Sequence, residues 1–161
     1  IEHETLVVIA TQQPMAVDLR TLAAVLEIAT ELERIGDYAK GIAKIAIKMG
    51  MEPFAKPLID IPLMAEKARS MLNRALQAFF ERDAGLARAI PAEDDEMDAI
   101  YDQIFRELTA YCTVDPKLVD RANYLVWVAH NLERAADRVV NICERVIFMV
   151  TGEVVEFDDN L

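Results

Sequence analysis

Two short segments hold the residues best placed to do chemistry. Leu32-Glu33-Arg34-Ile35-Gly36-Asp37 returns one hundred residues later as Leu132-Glu133-Arg134-Ala135-Ala136-Asp137. Each copy lies in a long helical pattern and sets a Glu and an Asp four residues apart, so the two carboxylates stack on one helix face. Around Glu133, the residues Ala122, Val126, Ala129, Val140 and Ile147 fall within roughly 40° at about 100° per residue. The carboxylates are therefore expected inside the apolar stripe that faces the core. An ionised carboxylate there is costly unless a cation or hydrogen-bond donors compensate it.

A further acidic pair precedes the second copy. Asp94 and Asp98 share a helix face with Tyr101, Phe105, Leu108 and Cys112, again expected on the core side, and Asp95 lies at its edge. A tight turn at 113–114 predicts that this helix runs antiparallel to the one carrying Glu133, with the two acidic pairs within about one turn of each other. Four carboxylates so close cannot all stay ionised without a cation, and oxygen-rich sites suit hard or borderline divalent ions. The competing reading is structural: Glu133 and Asp137 pair with Arg134, Arg138 or arginines of the third helix. His130, three residues before Glu133, is either a further ligand or a hydrogen-bonded structural residue, and the first copy has Thr30 there. Lys40 and Lys44 prolong the first acidic face as intrahelical ion-pair partners or as contacts for an anion. The partner pair for Glu33 and Asp37 would lie ahead of Ile1, so that first site is expected to be incomplete.

The elements that position these groups read as all-helical, because no bounded strand-like alternation is present. Helices are expected over 2 to about 12, about 16 to 49, 63 to 82 and about 92 to 112, and from Asp115-Pro116 to about 151, with a short helical turn at 83–89. Leu19, Leu22, Leu26, Ala29 and Ile42 are expected on the core side of the second helix. Gly36 and Gly41 should weaken that helix while allowing close approach of another backbone. The hundred-residue period is an internal repeat. It divides the chain into a partial first unit of two helices (1–50), a Pro-rich linker (51–62), a complete three-helix unit (63–152) and a polar, loosely held tail (153–161). With Ile1 inside a helical pattern, a truncated or processed N-terminus is expected.

Composition narrows the function. The chain has 161 residues, 53% of them hydrophobic, enough for one or two small domains with a core. A net charge of -11 argues against nucleic-acid binding. Cys112 and Cys143 form no CxxC and suit small buried side chains in a reducing compartment. No signal peptide is visible and no apolar run approaches the ~20 residues of a membrane span. A carboxylate-bridged di-iron oxidase is the enzymatic alternative, but neither His3 nor His130 follows a glutamate by three residues as that chemistry requires. A purely structural dimerisation module is another, and it predicts no bound metal.

With these residues in place, the chain resembles the PhoU family of bacterial phosphate-transport accessory and regulatory proteins. The resemblance lies in ELERIGDYAKGIAK (31–44), NLERAADRVVNICE (131–144), QQPMAVDLRTLAAVL (12–26) and DDEMDAIYDQI (94–104), and it spans nearly the whole chain. It implies an all-α bundle of two tandem three-helix repeats, here without the first helix of the first repeat. It also implies metal clusters on Glu33 and Asp37, Asp94 and Asp98, and Glu133 and Asp137, with iron, zinc or magnesium as candidate ions. No catalysis is implied. The implied role is cytoplasmic repression of the phosphate-starvation response through the transporter's ATP-binding subunit and a membrane sensor kinase, with a homodimer expected. The second motif reads ERAAD where ERIGD is usual, which keeps both carboxylates. PhoU-type domains that regulate other ion transporters are the alternative within the family.

Overall fold

The structure, a computed structural model, describes residues 1–50 and 59–157. Most of the expected linker and the last four residues of the expected tail lie outside that range. Six α-helices follow one another: α1 (Glu2–Gln12), α2 (Val17–Met49), α3 (Asp60–Glu81), α4 (Ala84–Ala89), α5 (Asp94–Val114) and α6 (Val119–Thr151). No strand occurs among the described residues.

The boundaries follow from local chemistry. Gln13 takes a left-handed conformation (φ 47°) and ends α1, and Pro14 behind it has no N–H with which to continue the helical ladder. The Asp83 carboxylate caps α4 by accepting from the Leu86 N–H at 2.9 Å. Pro91 and Pro116 each open a single 3-10 turn that feeds α5 and α6, and Asp115 accepts from the Lys117 N–H at 3.0 Å. Gly152 (φ 82°) closes α6 in the left-handed region that glycine tolerates. The third helix starts at Asp60, three residues earlier than expected at 63. Pro62 sits in its first turn, where a missing N–H costs no helical bond.

The long central helix α6 packs against α2, α3, α4 and α5. Its Ala129, Ala136, Ile142, Cys143, Val146 and Ile147 are fully buried, and α3 supplies Met64, Met71, Ala75 and Ala78. Small residues let the axes approach and the flexible methionines fill the remaining volume. Each fully buried Met or Ile contributes about 1.5–3 kcal/mol relative to exposure.

The helices α2 and α6 run antiparallel along their full length. Arg20 lies at Gly152, the Glu31 carboxylate accepts from the Asn141 amide at 3.4 Å, Gly41 faces Asn131, and Lys48 lies over Tyr124. The repeat exchanges the middle two of these contacts. Adding one hundred to Gly41 gives Asn141, and subtracting one hundred from Asn131 gives Glu31, so one contact maps onto the other across an internal two-fold. A Cβ at Gly41 would stand 3.3 Å from Asn131 Oδ1, so glycine serves close approach there. At Gly36 nothing lies within 4 Å of an added Cβ, and the close approach expected there is not realised.

Two further expectations are corrected. On α2 the buried residues are Ala24 and Ile28, with Leu32 and Ile35 packed beside them, whereas Leu19 is exposed. Apolar residues occupy more than one face of α2, and the face bearing Ala24 and Ile28 is the one that meets the core. The tail is also anchored as far as Phe157. The Phe157 N–H donates to the buried Glu144 carboxylate at 2.9 Å, Arg88 pairs with Glu153 at 2.6 Å, and Val155 and Phe157 pack on the core.

Candidate functional site

The two copies of the carboxylate motif land in different surroundings. Glu33 and Asp37 are exposed on α2, and Asp37 forms an exposed ion pair with Lys40 at 3.7 Å. The core-facing placement expected for this pair is therefore corrected, because α2 meets the core through its Ala24–Ile28 face. Glu133 is 22% exposed and Asp137 half-buried on α6. That agrees with the apolar stripe around them, in which Ala122, Ala129, Val140 and Ile147 are buried.

The seam between α5 and α6 brings the remaining predicted residues to the second copy. The Tyr101 and His130 rings meet at 5.9 Å between centroids. The His130 Nδ1 stands 3.1 Å from a Glu133 carboxylate oxygen. Burial raises the Tyr101 phenol above its ordinary pKa, and the Glu133 charge raises it further. From the Tyr101–His130 contact, three residues along each antiparallel helix reach Asp98 and Glu133, and seven reach Asp94 and Asp137. At ~1.5 Å per residue both steps keep the acidic groups level across the seam. Asp94 is half-buried, but Asp98 and Phe105 are exposed, so the core-side placement expected for this face is corrected: α5 buries Met97 and Ile104 instead. His130 is thus a neighbour of Glu133 on the same face, and Tyr101 walls the seam.

The nearby arginines have identifiable contacts. Arg134 lies over the Tyr38 ring at 5.0 Å, Arg138 reaches Glu31 at 3.5 Å, and Arg74 of α3 pairs with Glu93 at 2.5 Å. Among the described residues, no group of three or more His, Cys, Asp or Glu side chains stands converged to hold a metal ion. The α5–α6 seam is an acidic face at matched levels and not a formed cage. Both cysteines are free thiols. Burial pushes the Cys143 thiol up to about 12, which leaves it protonated and unreactive at neutral pH.

Sequence reasoning missed two carboxylates that organise the structure. Glu31 joins α2 to α6 through Arg138 and Asn141, and the only hint was the mapping of Gly41 onto Asn141. Glu144 is buried (8% exposed) and holds the tail, although nothing in its local pattern separates it from a surface glutamate.

This architecture defines a class: an all-α protein built on an internally repeated helix pair, with i, i+4 carboxylates beside the repeat axis. A model of the PhoU domain matches residues 1–46 and 61–146. A relative from Clostridium acetobutylicum, named phosphate-specific transport system accessory protein PhoU homolog, is 36% identical over 160 residues, covering 99% of this chain and 73% of the relative. A protein of the same name from Aquifex aeolicus is 38% identical over 156 residues, covering 97% and 71%. The crystal structure of PhoU from Pseudomonas aeruginosa superposes with a TM-score of 0.86 at 33% identity, covering 94% of this chain and 73% of that one. That of the phosphate transport system regulatory protein PhoU from Streptococcus pneumoniae gives 0.87 at 29% identity, covering 97% and 73%. The chain belongs to the PhoU family. No helix among its described residues is long and apolar enough to cross a membrane.

Proposed function

We propose that this chain is an accessory regulator of a phosphate-specific transport system, acting in the cytoplasm by protein contact rather than by catalysis. The observation that carries this reading is the match of the PhoU domain to both halves of the chain, 1–46 and 61–146, beside relatives named as accessory proteins. The partners that fit are the transporter's ATP-binding subunit and a membrane sensor histidine kinase, with the chain reaching the membrane only through them. A homodimer is the expected state, and nucleic acid is not a partner, in keeping with the net charge of -11. Deleting the gene should switch on phosphate-starvation genes in phosphate-replete cells, and a pull-down from those cells should recover the ATP-binding subunit. Unchanged expression of those genes after deletion would remove this reading.

We also propose the α5–α6 seam as the place where a divalent or trivalent cation, such as iron, zinc or magnesium, is drawn in by Asp94, Asp98, Glu133 and Asp137. Their matched levels and the partial burial of Glu133 support it. Because no three ligands stand converged among the described residues, binding requires these side chains to close around the ion, with Glu33 and Asp37 the weaker location.

A further inference from the structure

Where α2 ends and α6 begins, a groove is lined by Lys44, Ile45, Lys48, Tyr124 and Trp127. Lys40, Lys44 and Lys48 follow at i, i+4 and i+8, so they form a basic stripe along one face of the last turns of α2. Lys48 Nζ lies 4.9 Å above the Tyr124 ring. A hydrogen bond to Tyr124 raises the Lys48 ammonium above its ordinary pKa, so it stays charged at neutral pH. Trp127, the only tryptophan of the chain, is 62% exposed.

A structural account covers part of this. Lysines near a helix C-terminus offset its dipole, and Lys48 clasps α2 to α6 through a cation–π contact. Neither effect needs Lys44 on the groove wall or a largely exposed indole beside Ile45. Trp and Tyr are enriched at the centres of protein interfaces, and charged groups such as these lysines suit the polar rim around them.

We propose that this groove docks a short acidic segment of a protein partner, its carboxylates at Lys44 and Lys48 and an apolar or aromatic side chain over Trp127 and Ile45. The proposal rests on the reading of the chain as a contact-based regulator and names the surface and the partner's chemistry. Charge complementarity selects the occupant, since Lys44 and Lys48 set two cations on the groove wall, with Asp120 the acidic neighbour of Lys48, on a chain of net charge -11. An anionic bilayer fits less well. Recruitment to such a surface takes clusters of about 4–8 basic residues, whereas this stripe offers Lys40, Lys44 and Lys48, with Lys40 paired to Asp37.

The test uses Trp127 fluorescence of the whole chain. The probes are a pool of capped nonapeptides alternating Glu or Asp with Leu or Phe, the same pool with Lys replacing the acids, and vesicles containing phosphatidylserine. The acidic pool should shift or quench Trp127 and the basic pool should not. Lys44→Glu with Lys48→Glu should weaken acidic-peptide binding by about tenfold or more, and Lys40→Glu by about threefold or less. Thermal melts confirm that these surface variants fold. No response to any acidic peptide, an equal response to the basic pool, or unchanged binding by the double variant overturns the proposal. A Trp127 shift with vesicles and not with peptides assigns the groove to a membrane surface and also overturns it. Failure here with starvation genes still derepressed by deletion sinks the groove alone, and unchanged expression after deletion sinks the wider reading.

Discussion

Leu32–Asp37 and Leu132–Asp137 are nearly the same six residues, yet α2 shows its acidic pair to solvent while α6 holds its pair against a neighbouring helix. The difference comes from what each helix is packed against. The long helix α6 is surrounded by α2, α3, α4 and α5, whereas α2 packs mainly on α6, with α1 beside it. At the centre of the motif the contrast is sharpest: Ala136 is fully buried, while Gly36 is exposed with nothing within 4 Å of an added Cβ. A sequence motif fixes the spacing of chemical groups, and the surrounding helices decide whether that spacing becomes a site.

The comparison can be broken most directly by metal analysis. Protein prepared with iron, zinc or magnesium should lose most of its bound metal on replacing Glu133 and Asp137 with Ala, and little on replacing Glu33 and Asp37. Equal losses would erase the distinction between the copies. Next in size is a packing test. Ala136→Leu forces three extra carbons into a filled site and should destabilise by about 1–3 kcal/mol. Gly36→Leu, at the matching exposed position, should not destabilise, and denaturant titration reads both.

Alkaline stability sharpens the α6 side of the comparison. The folded Cys143 thiol holds its proton to about 12, against an ordinary value of 9.0. The unfolded chain therefore ionises first. The thiol's stabilising contribution is complete below pH 9 and is lost as pH rises from about 9 towards 12. At pH 10 the loss is on the order of 1 kcal/mol. Cys143→Ala should flatten this alkaline decline, read by denaturant titration at pH 8 and at pH 10. Gly36→Ala should raise stability by about 0.5–1 kcal/mol, because helix propensity improves with no clash. The smallest effect belongs to Asp37 and Lys40. Their pair is more than half exposed, so replacing both with Ala should move stability by no more than about 0.5 kcal/mol.

Much of the fold was legible because punctuation residues carry it. Pro14, Pro91, Pro116 and Gly152 mark helix ends where backbone sterics leave few choices. Pro62 misled for the same kind of reason: proline excludes a helix interior but not a first turn. The stripe on α6 could be read because its apolar residues cluster around Glu133. The stripe on α2 could not, since Leu19, Leu22 and Leu26 compete with Ala24 and Ile28, and only the tertiary partner chooses between them. Within the candidate site the pairing of α5 with α6 followed from a tight turn. The clasp at Glu31 depends on a contact 110 residues away, beyond any local pattern.

That clasp also bears on the order in which the molecule assembles. The helices α3 to α6 meet across separations of tens of residues, and α5 and α6 across a tight turn. The seam between α2 and α6 must instead join groups such as Glu31 and Asn141 across 110 residues of chain. Closing so long a loop carries an entropic cost that is met before its contacts are made. The α3–α6 portion should therefore form first and offer α6 as a template on which α2 docks late. On unfolding, the amides of α2 should open to hydrogen exchange before those of α6.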